Sequence, residues 1–311
     1  MKKSLNIAFA LMCSATLFFV GCHKKETTEV DNETQSAVDN AVADQEYAAI
    51  VPTANSHAIN TKGAGGVGRS SSMSPCDTLK WLNRATADTL PIHMLPNGNY
   101  SIAPVYELDL ALASSACTGT NGSFTDGKIR VGKWNIRITA PLRNPNSQMI
   151  LKLIGHKTID ATPTKTTTIS YSCDSIVVTT VASSSVAPYP FITYNIKLTG
   201  GLCQTAAWVI KYNFDRTITT YPKGDATSAE DPITYVFGTA SGVNRQSRAF
   251  NVNIPSTTPL VKRKSCQYVQ KGIMDLTPDG FKTRTVDFGN GTCDDDATFT
   301  VNGNTVAFKL K

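Results

Sequence analysis

The residues of this 311-residue sequence best suited to chemistry are its eight cysteines. Cys13 and Cys22 lie in or beside an N-terminal apolar run, and Cys76, Cys117, Cys173, Cys203, Cys266 and Cys293 are spread along the rest. Closely spaced thiolates would bind zinc, but no Cys-x-x-Cys occurs, and only His93 and His156 follow Cys76 to complete a closed site. In a chain that leaves the cytoplasm, an even number of cysteines points instead to disulfides. Sequential pairing is favoured: Cys76–Cys117, Cys173–Cys203 and Cys266–Cys293. Cys117 and Cys293 each follow an Asp-centred strand pattern and each has one upstream companion in its own segment. The alternatives are one pair left reduced, or Cys173 bonded to a distant segment.

Catalytic constellations are sparse. Gly238-Thr239-Ala240-Ser241-Gly242 lacks the flanking glycines of a nucleophile elbow. His93 and His156 have no nucleophile motif beside them and read as packing or hydrogen-bonded residues. Past Cys76 the only glutamates are Glu107 and Glu230, so paired acids for glycoside hydrolysis would need aspartates. Asp294, Asp295 and Asp296, with Asp287 and Asn290 nearby, are weak calcium candidates; their spacing fits a turn of Asx side chains better than a calcium loop. Gly63-x-Gly65-x-x-Gly68 matches a dinucleotide fingerprint in letters but lacks the strand before it and the helix after it. No catalytic residue, metal or cofactor is assigned.

The N-terminus carries clearer chemistry. Lys2 and Lys3 precede an apolar run from Leu5 to Val20, which ends Gly21-Cys22. A charged start, a short apolar stretch and a small residue before the cut form a secretory signal. Gly21-Cys22 resembles the lipobox of bacterial lipoproteins, with Phe19 where leucine is usual. The resemblance implies cleavage before Cys22, acylation of that cysteine and anchoring to a membrane. Each buried acyl methylene contributes about 0.8 kcal/mol. His23, rather than aspartate, after the lipidated cysteine implies the outer membrane.

Over 23–61 seven acids face only Lys24 and Lys25, and a Gly/Ser-rich tract follows to about residue 72. This composition predicts a flexible spacer over 22–75, with at most a marginal short helix around 36–47. The whole chain is +6, so 62–311 is the basic part. Its cations are scattered, Lys262-Arg263-Lys264 being the one cluster, which argues against nucleic acid as a partner.

From Cys76 on, the hydrophobic period is two. Trp134, Ile136 and Ile138 alternate with Asn135, Arg137 and Thr139. Trp208, Ile210, Tyr212 and Phe214 alternate with Val209, Lys211, Asn213 and Asp215. Phe250, Val252 and Ile254 alternate with Asn251 and Asn253. Each segment reads as an antiparallel strand with one wet and one dry face. Trp134 and Trp208 fall on the dry phase. Asn302-Gly303 predicts a type I′ hairpin that pairs Val301 with Asn304 and Phe299 with Val306. The fold class is therefore all-β, antiparallel and sandwich-like. The predicted organisation is a signal peptide over 1–21, the linker over 22–75, and β-domains over 76–225 and 226–311.

Thr285-Val286-Asp287-Phe288-Gly289-Asn290-Gly291-Thr292-Cys293-Asp294, with the hairpin after it, resembles the C-terminus of a group of uncharacterised bacterial cell-envelope lipoproteins. Gly127-Lys128-Ile129 after Cys117, and 238–245, are similar to elements of the same group. That resemblance implies no reaction and no ligand. The functional expectation is a lipid-anchored envelope protein that binds or scaffolds without catalysis, with a polysaccharide or another envelope protein as partner. An envelope enzyme acting on glycans is the alternative.

Overall fold

The computed structural model describes residues 31, 33–60, 78–84, 106–112, 129–139, 142, 144–162, 165–226, 228–229, 231–266 and 268–310. Helix α1 (Gln35–Asn60) precedes strands β1 (Thr78–Arg84), β2 (Tyr106–Leu112), β3 (Ile129–Ile138), β4 (Gln148–Thr162), β5 (Lys165–Ser172), β6 (Ser175–Ser184), β7 (Phe191–Gln204) and β8 (Val209–Tyr221). After these come β9 (Gly224–Asp225), β10 (Ser228–Ala229), β11 (Ile233–Val243), β12 (Ala249–Ile254), β13 (Leu260–Arg263), β14 (Lys271–Pro278), β15 (Arg284–Asn290), β16 (Asp296–Val301) and β17 (Asn304–Lys309).

Apart from the β9–β10 ribbon, the strands form one antiparallel sheet of 15, in the order β1-β2-β3-β4-β5-β7-β8-β11-β12-β14-β15-β16-β17. Two strands lie off this path. β6 sits beside β5 between the long strands β4 and β7, and β13 bridges β11 and β14. The all-β antiparallel class expected from the alternation is what the chain adopts.

The expected boundary between 76–225 and 226–311 does not separate two sheets. β8 and β11, on either side of it, pair continuously from Ile233↔Tyr221 to Val243↔Lys211. The Pro222-Lys223-Gly224 break is a turn that leads from β8 into the separate β9–β10 ribbon.

The larger departure is the extent of the helix, expected as at most a marginal segment around 36–47. The flexible spacer expected over 22–75 contains α1, which is 26 residues long and packs on one face of the sheet. Ala43, Tyr47, Ile50, Val51 and Ala54 are buried at helical spacing. They join Leu110, Trp134, Ile136, Leu151, Ile176, Ile196, Leu198, Ile210, Tyr212, Phe250 and Leu276 in one core. An isolated helix of this composition is marginal in water, and its stability here comes from tertiary packing. The stripe continues N-terminally through Ser36, Asp39 and Asn40, with Glu46 beside Tyr47, all buried. Those residues are polar, so a search for apolar periodicity passes over them.

A bulge in β7 receives the helix. The β7–β8 register shifts between Leu198 and Gly201, and Gly200 takes φ +65°. At Gly201 a Cβ would lie 2.4 Å from the Tyr212 carbonyl oxygen and 3.3 Å from the Tyr47 hydroxyl, so only glycine fits.

At the C-terminus the hairpin has the expected register, with Phe299 opposite Val306 and Val301 opposite Asn304. Asn302 and Gly303 have φ of 52° and 75°, the positive angles of a type I′ turn.

Candidate functional site

Two groups of polar side chains stand out, one on each face of the sheet. The first is buried under α1. Arg130 on β3 donates to both Glu46 carboxylate oxygens, from Nε at 2.9 Å and Nη2 at 2.8 Å. His156 on β4 contacts Glu46 Oε1 through Nε2 at 2.8 Å, and Trp134 Nε1 meets His156 Nδ1 at 3.2 Å. An indole N–H only donates, so Nδ1 accepts and Nε2 carries the proton toward Glu46. Burial alone would raise the Glu46 carboxyl. The hydrogen bonds from His156 and Arg130 outweigh it and hold the group below the usual carboxylate range.

The same pattern repeats toward the start of the helix. Asp44 meets Arg216, and the Tyr212 hydroxyl lies 3.0 Å from Asn40 Oδ1. Asp39 accepts from the Arg245 backbone N–H and Nε, both at 2.7 Å. Arg284 Nε donates to the Glu33 carbonyl at 2.9 Å. Glu46, Tyr212, His156 and Asp39 are closed off from solvent, so this network holds the helix in place and offers nothing to a substrate.

The second group lies on the opposite, wet face, where β7, β8, β11, β12 and β14 form an open groove of about 680 Å³. Strand register sets two polar rows across it. One runs Lys197, Asp215, Thr239, Asn253, Asp275 and the other runs Asn213, Ser241, Asn251, Thr277, each residue opposite the next on a neighbouring strand. The alternation that buries Phe214, Ala240, Val252 and Leu276 under the helix turns these residues outward.

Part of this array is fixed by internal bonds. Asn195 Nδ2 donates to Asp215 Oδ1 at 2.7 Å, Thr285 Oγ1 to Asp275 Oδ1 at 2.6 Å, and the Gly200 N–H to Asn213 Oδ1 at 2.8 Å. Among the described residues, no hydrogen bond engages the side chains of Thr239, Ser241, Asn251 and Asn253. Donors and acceptors thus alternate on a rigid face with two oriented carboxylates and one ammonium group, a surface suited to a ligand with many hydroxyls.

Sequence reasoning identified Asn213, Asp215, Asn251 and Asn253 as wet-face positions but did not join them. Their adjacency depends on long-range strand order. Trp134 is buried as expected, and Trp208 packs partly buried at the edge of the core.

The remaining expected site residues fall as follows. Cys22, Cys76, Cys117, His93 and Glu230 lie outside the described residues. Glu107 pairs through its backbone with Arg137 on β3. Cys266 and Cys293 are bonded, with Cα atoms 5.7 Å apart. Cys173 and Cys203, expected as a pair, are free thiols. Tyr171, rather than Cys173, lies opposite Cys203. The last pair of that ladder is Ser172↔Leu202, so Cys173 lies one residue past it and no strand pair sets it opposite Cys203.

Asp294 accepts from the Asp296 N–H at 3.0 Å, and Asp295 and Asp296 pair with Lys309 at 2.6 and 2.7 Å. These aspartates form a turn and a surface ion pair. No cluster of three metal-ligating side chains occurs among the described residues.

No protein-family model, curated protein or solved structure matches this chain.

Proposed function

We propose that this is a lipid-anchored cell-envelope protein, held in the outer membrane through Cys22, that binds an envelope polysaccharide without chemically changing it. The observation that carries the reading is the double polar row on the wet face, where, among the described residues, no hydrogen bond engages the side chains of Thr239, Ser241, Asn251 and Asn253. Side-chain hydroxyls and amides recognise vicinal hydroxyls by paired donor and acceptor contacts. Adjacent strands are about 4.8 Å apart, so one row presents contacts at a regular repeat to a chain of sugar rings lying across the strands.

A glycan-acting enzyme is the second reading, because Asp215 and Asp275 share the groove. Register separates them by three strand spacings, about 14 Å. Glycosidase carboxylates stand about 5–9.5 Å apart, so this spacing favours binding over hydrolysis.

Full-length protein is titrated with neutral and uronate-containing oligosaccharides, and each mixture is analysed for cleavage products. Retention of an intact oligosaccharide by wild type, with at least a tenfold weaker interaction in the Asn251→Ala/Asn253→Ala variant, is expected. An equal affinity in the variant would remove the groove from the reading. Cleaved products that disappear in Asp275→Asn would replace it with the enzyme.

A further inference from the structure

We propose that the end of the sheet surrounding the start of α1 is a membrane-contact face that lies on phospholipid headgroups. The inference rests on acylation of Cys22. Glu33 is the eleventh residue after Cys22, so covalent geometry holds it within roughly 40 Å of the lipidated cysteine however the intervening chain runs. Helix α1 has 26 residues and runs roughly 39 Å onward from that point, so its start is the end closer to the anchor along the chain.

Three turns gather around that start. The β11–β12 turn is tied to it by Asn244 Nδ2, which donates to Ser36 Oγ at 3.0 Å, and by Arg245, which binds Asp39. The β7–β8 turn is held through Trp208, whose ring lies 4.3 Å under the Arg245 guanidinium. The β14–β15 turn is held through Arg284 on Glu33 and through Phe281, which Arg248 covers at 4.3 Å. Antiparallel connection places all three turns at one end of the sheet, while the β6–β7 turn, with exposed Val186, lies at the other.

The residue types suit a headgroup layer. Trp208 and Phe281 are half-exposed aromatic rings capped by arginines, Val209 is 45% exposed, and Lys282, Ala206 and Ala207 are exposed at the tips. Indole, guanidinium and ammonium groups beside short apolar side chains are the composition of a membrane–water interface. Glu33 and Asp39 already face Arg284 and Arg245, and the other charged side chains at this end are Arg248 and Lys282 with Asp279 and Asp31.

The test uses full-length lipidated protein in vesicles of phosphatidylethanolamine and phosphatidylglycerol, with and without lipids brominated in the upper acyl chain. Trp208 emission is taken as the difference between wild type and Trp208→Phe. It is expected to lose about half its intensity in brominated vesicles, as an indole at headgroup level does. The emission of Trp208→Phe, from Trp81 and Trp134, is recorded in both kinds of vesicle as the reference. A polarity-sensitive dye on Gln246→Cys, in the exposed β11–β12 turn, should shift to the blue on reconstitution, while the same dye on Val186→Cys should not. Protein that floats with the vesicles but shows neither quenching nor a shift at Gln246 would overturn the contact face while leaving acylation intact. Protein that does not float would overturn acylation and the proposal with it. A shift at Val186 with none at Gln246 would reverse the orientation.

Discussion

Glu46 on α1 and His156 on β4 are joined by a 2.8 Å contact, with both side chains fully buried. Arg130 completes the carboxylate's coordination, so one helical acid satisfies two elements of the sheet. Removing one partner of such a pair leaves charge buried without compensation and typically costs about 3–5 kcal/mol. Glu46→Ala should fall in that range by urea unfolding. A loss under about 1 kcal/mol, the scale of a surface pair, would show that the network contributes little. The pH dependence follows from the depressed folded-state pKa of Glu46. Its contribution is present above the ordinary value of 4.5 and is lost as pH falls through the folded value. Wild type should therefore lose stability more steeply below pH 4.5 than Glu46→Gln, measured by urea midpoints across an acid series.

Tyr47 provides a second test of helix docking. Its hydroxyl lies 2.6 Å from the Ser172 carbonyl oxygen on β5 and 3.1 Å from that of Leu202 on β7. Tyr47→Phe keeps the ring contacts with Tyr171 and Tyr212 and removes only the donor. A loss of about 1–3 kcal/mol is expected from the unsatisfied carbonyls. An unchanged midpoint would mean that water replaces the hydroxyl.

The strands and the terminal hairpin were legible because burial alternates with period two, as in Phe250, Asn251, Val252, Asn253 and Ile254. The helix was legible only as a marginal segment around 36–47, and its full length and docking were not, because four of its buried positions are Ser36, Asp39, Asn40 and Glu46. Local composition reads such residues as solvated, and only their distant partners Asn244, Arg245, Tyr212 and Arg130 make their burial favourable. The groove was hidden for a related reason. Each Asn, Asp or Thr is an ordinary wet-face residue in its own strand, and strand order alone sets Asp215, Thr239, Asn253 and Asp275 in a row.

The C-terminal turn is testable in isolation from packing. A Cβ at Gly303 would meet nothing within 4 Å, so a substitution there acts through its φ of +75° alone. Gly303→Val should cost about 1–3 kcal/mol. The unfolding midpoint, or amide exchange in β16 and β17, reads the effect, and an unaltered value in both would contradict the turn geometry.

Acylation is checked by feeding cells a clickable fatty acid. Wild type should be labelled and Cys22→Ala should not, while equal labelling of both would remove the anchor. Membrane fractionation of the same samples should place wild type with the outer membrane.

The three cysteine environments among the described residues predict three reactivities. Cys266–Cys293 closes a segment with a sequence separation of 27, for which the chain-entropy model gives about 3–4 kcal/mol. Reduction should lower the unfolding midpoint accordingly. Cys203 is fully buried, and burial raises its thiol well above the usual range. Cys173 is half-buried, and burial pushes its thiol up to about 11. The thiolate is the reactive form, so near neutral pH both should resist iodoacetamide in the folded protein. Cys173 should begin to react as the solution approaches pH 11, and Cys203 only when the chain unfolds. Mass spectrometry of alkylated peptides with and without urea distinguishes these cases. A linked Cys173–Cys203 peptide from protein prepared under oxidising conditions would show that the end of β5 and β7 shift enough to bring the two thiols within bonding distance.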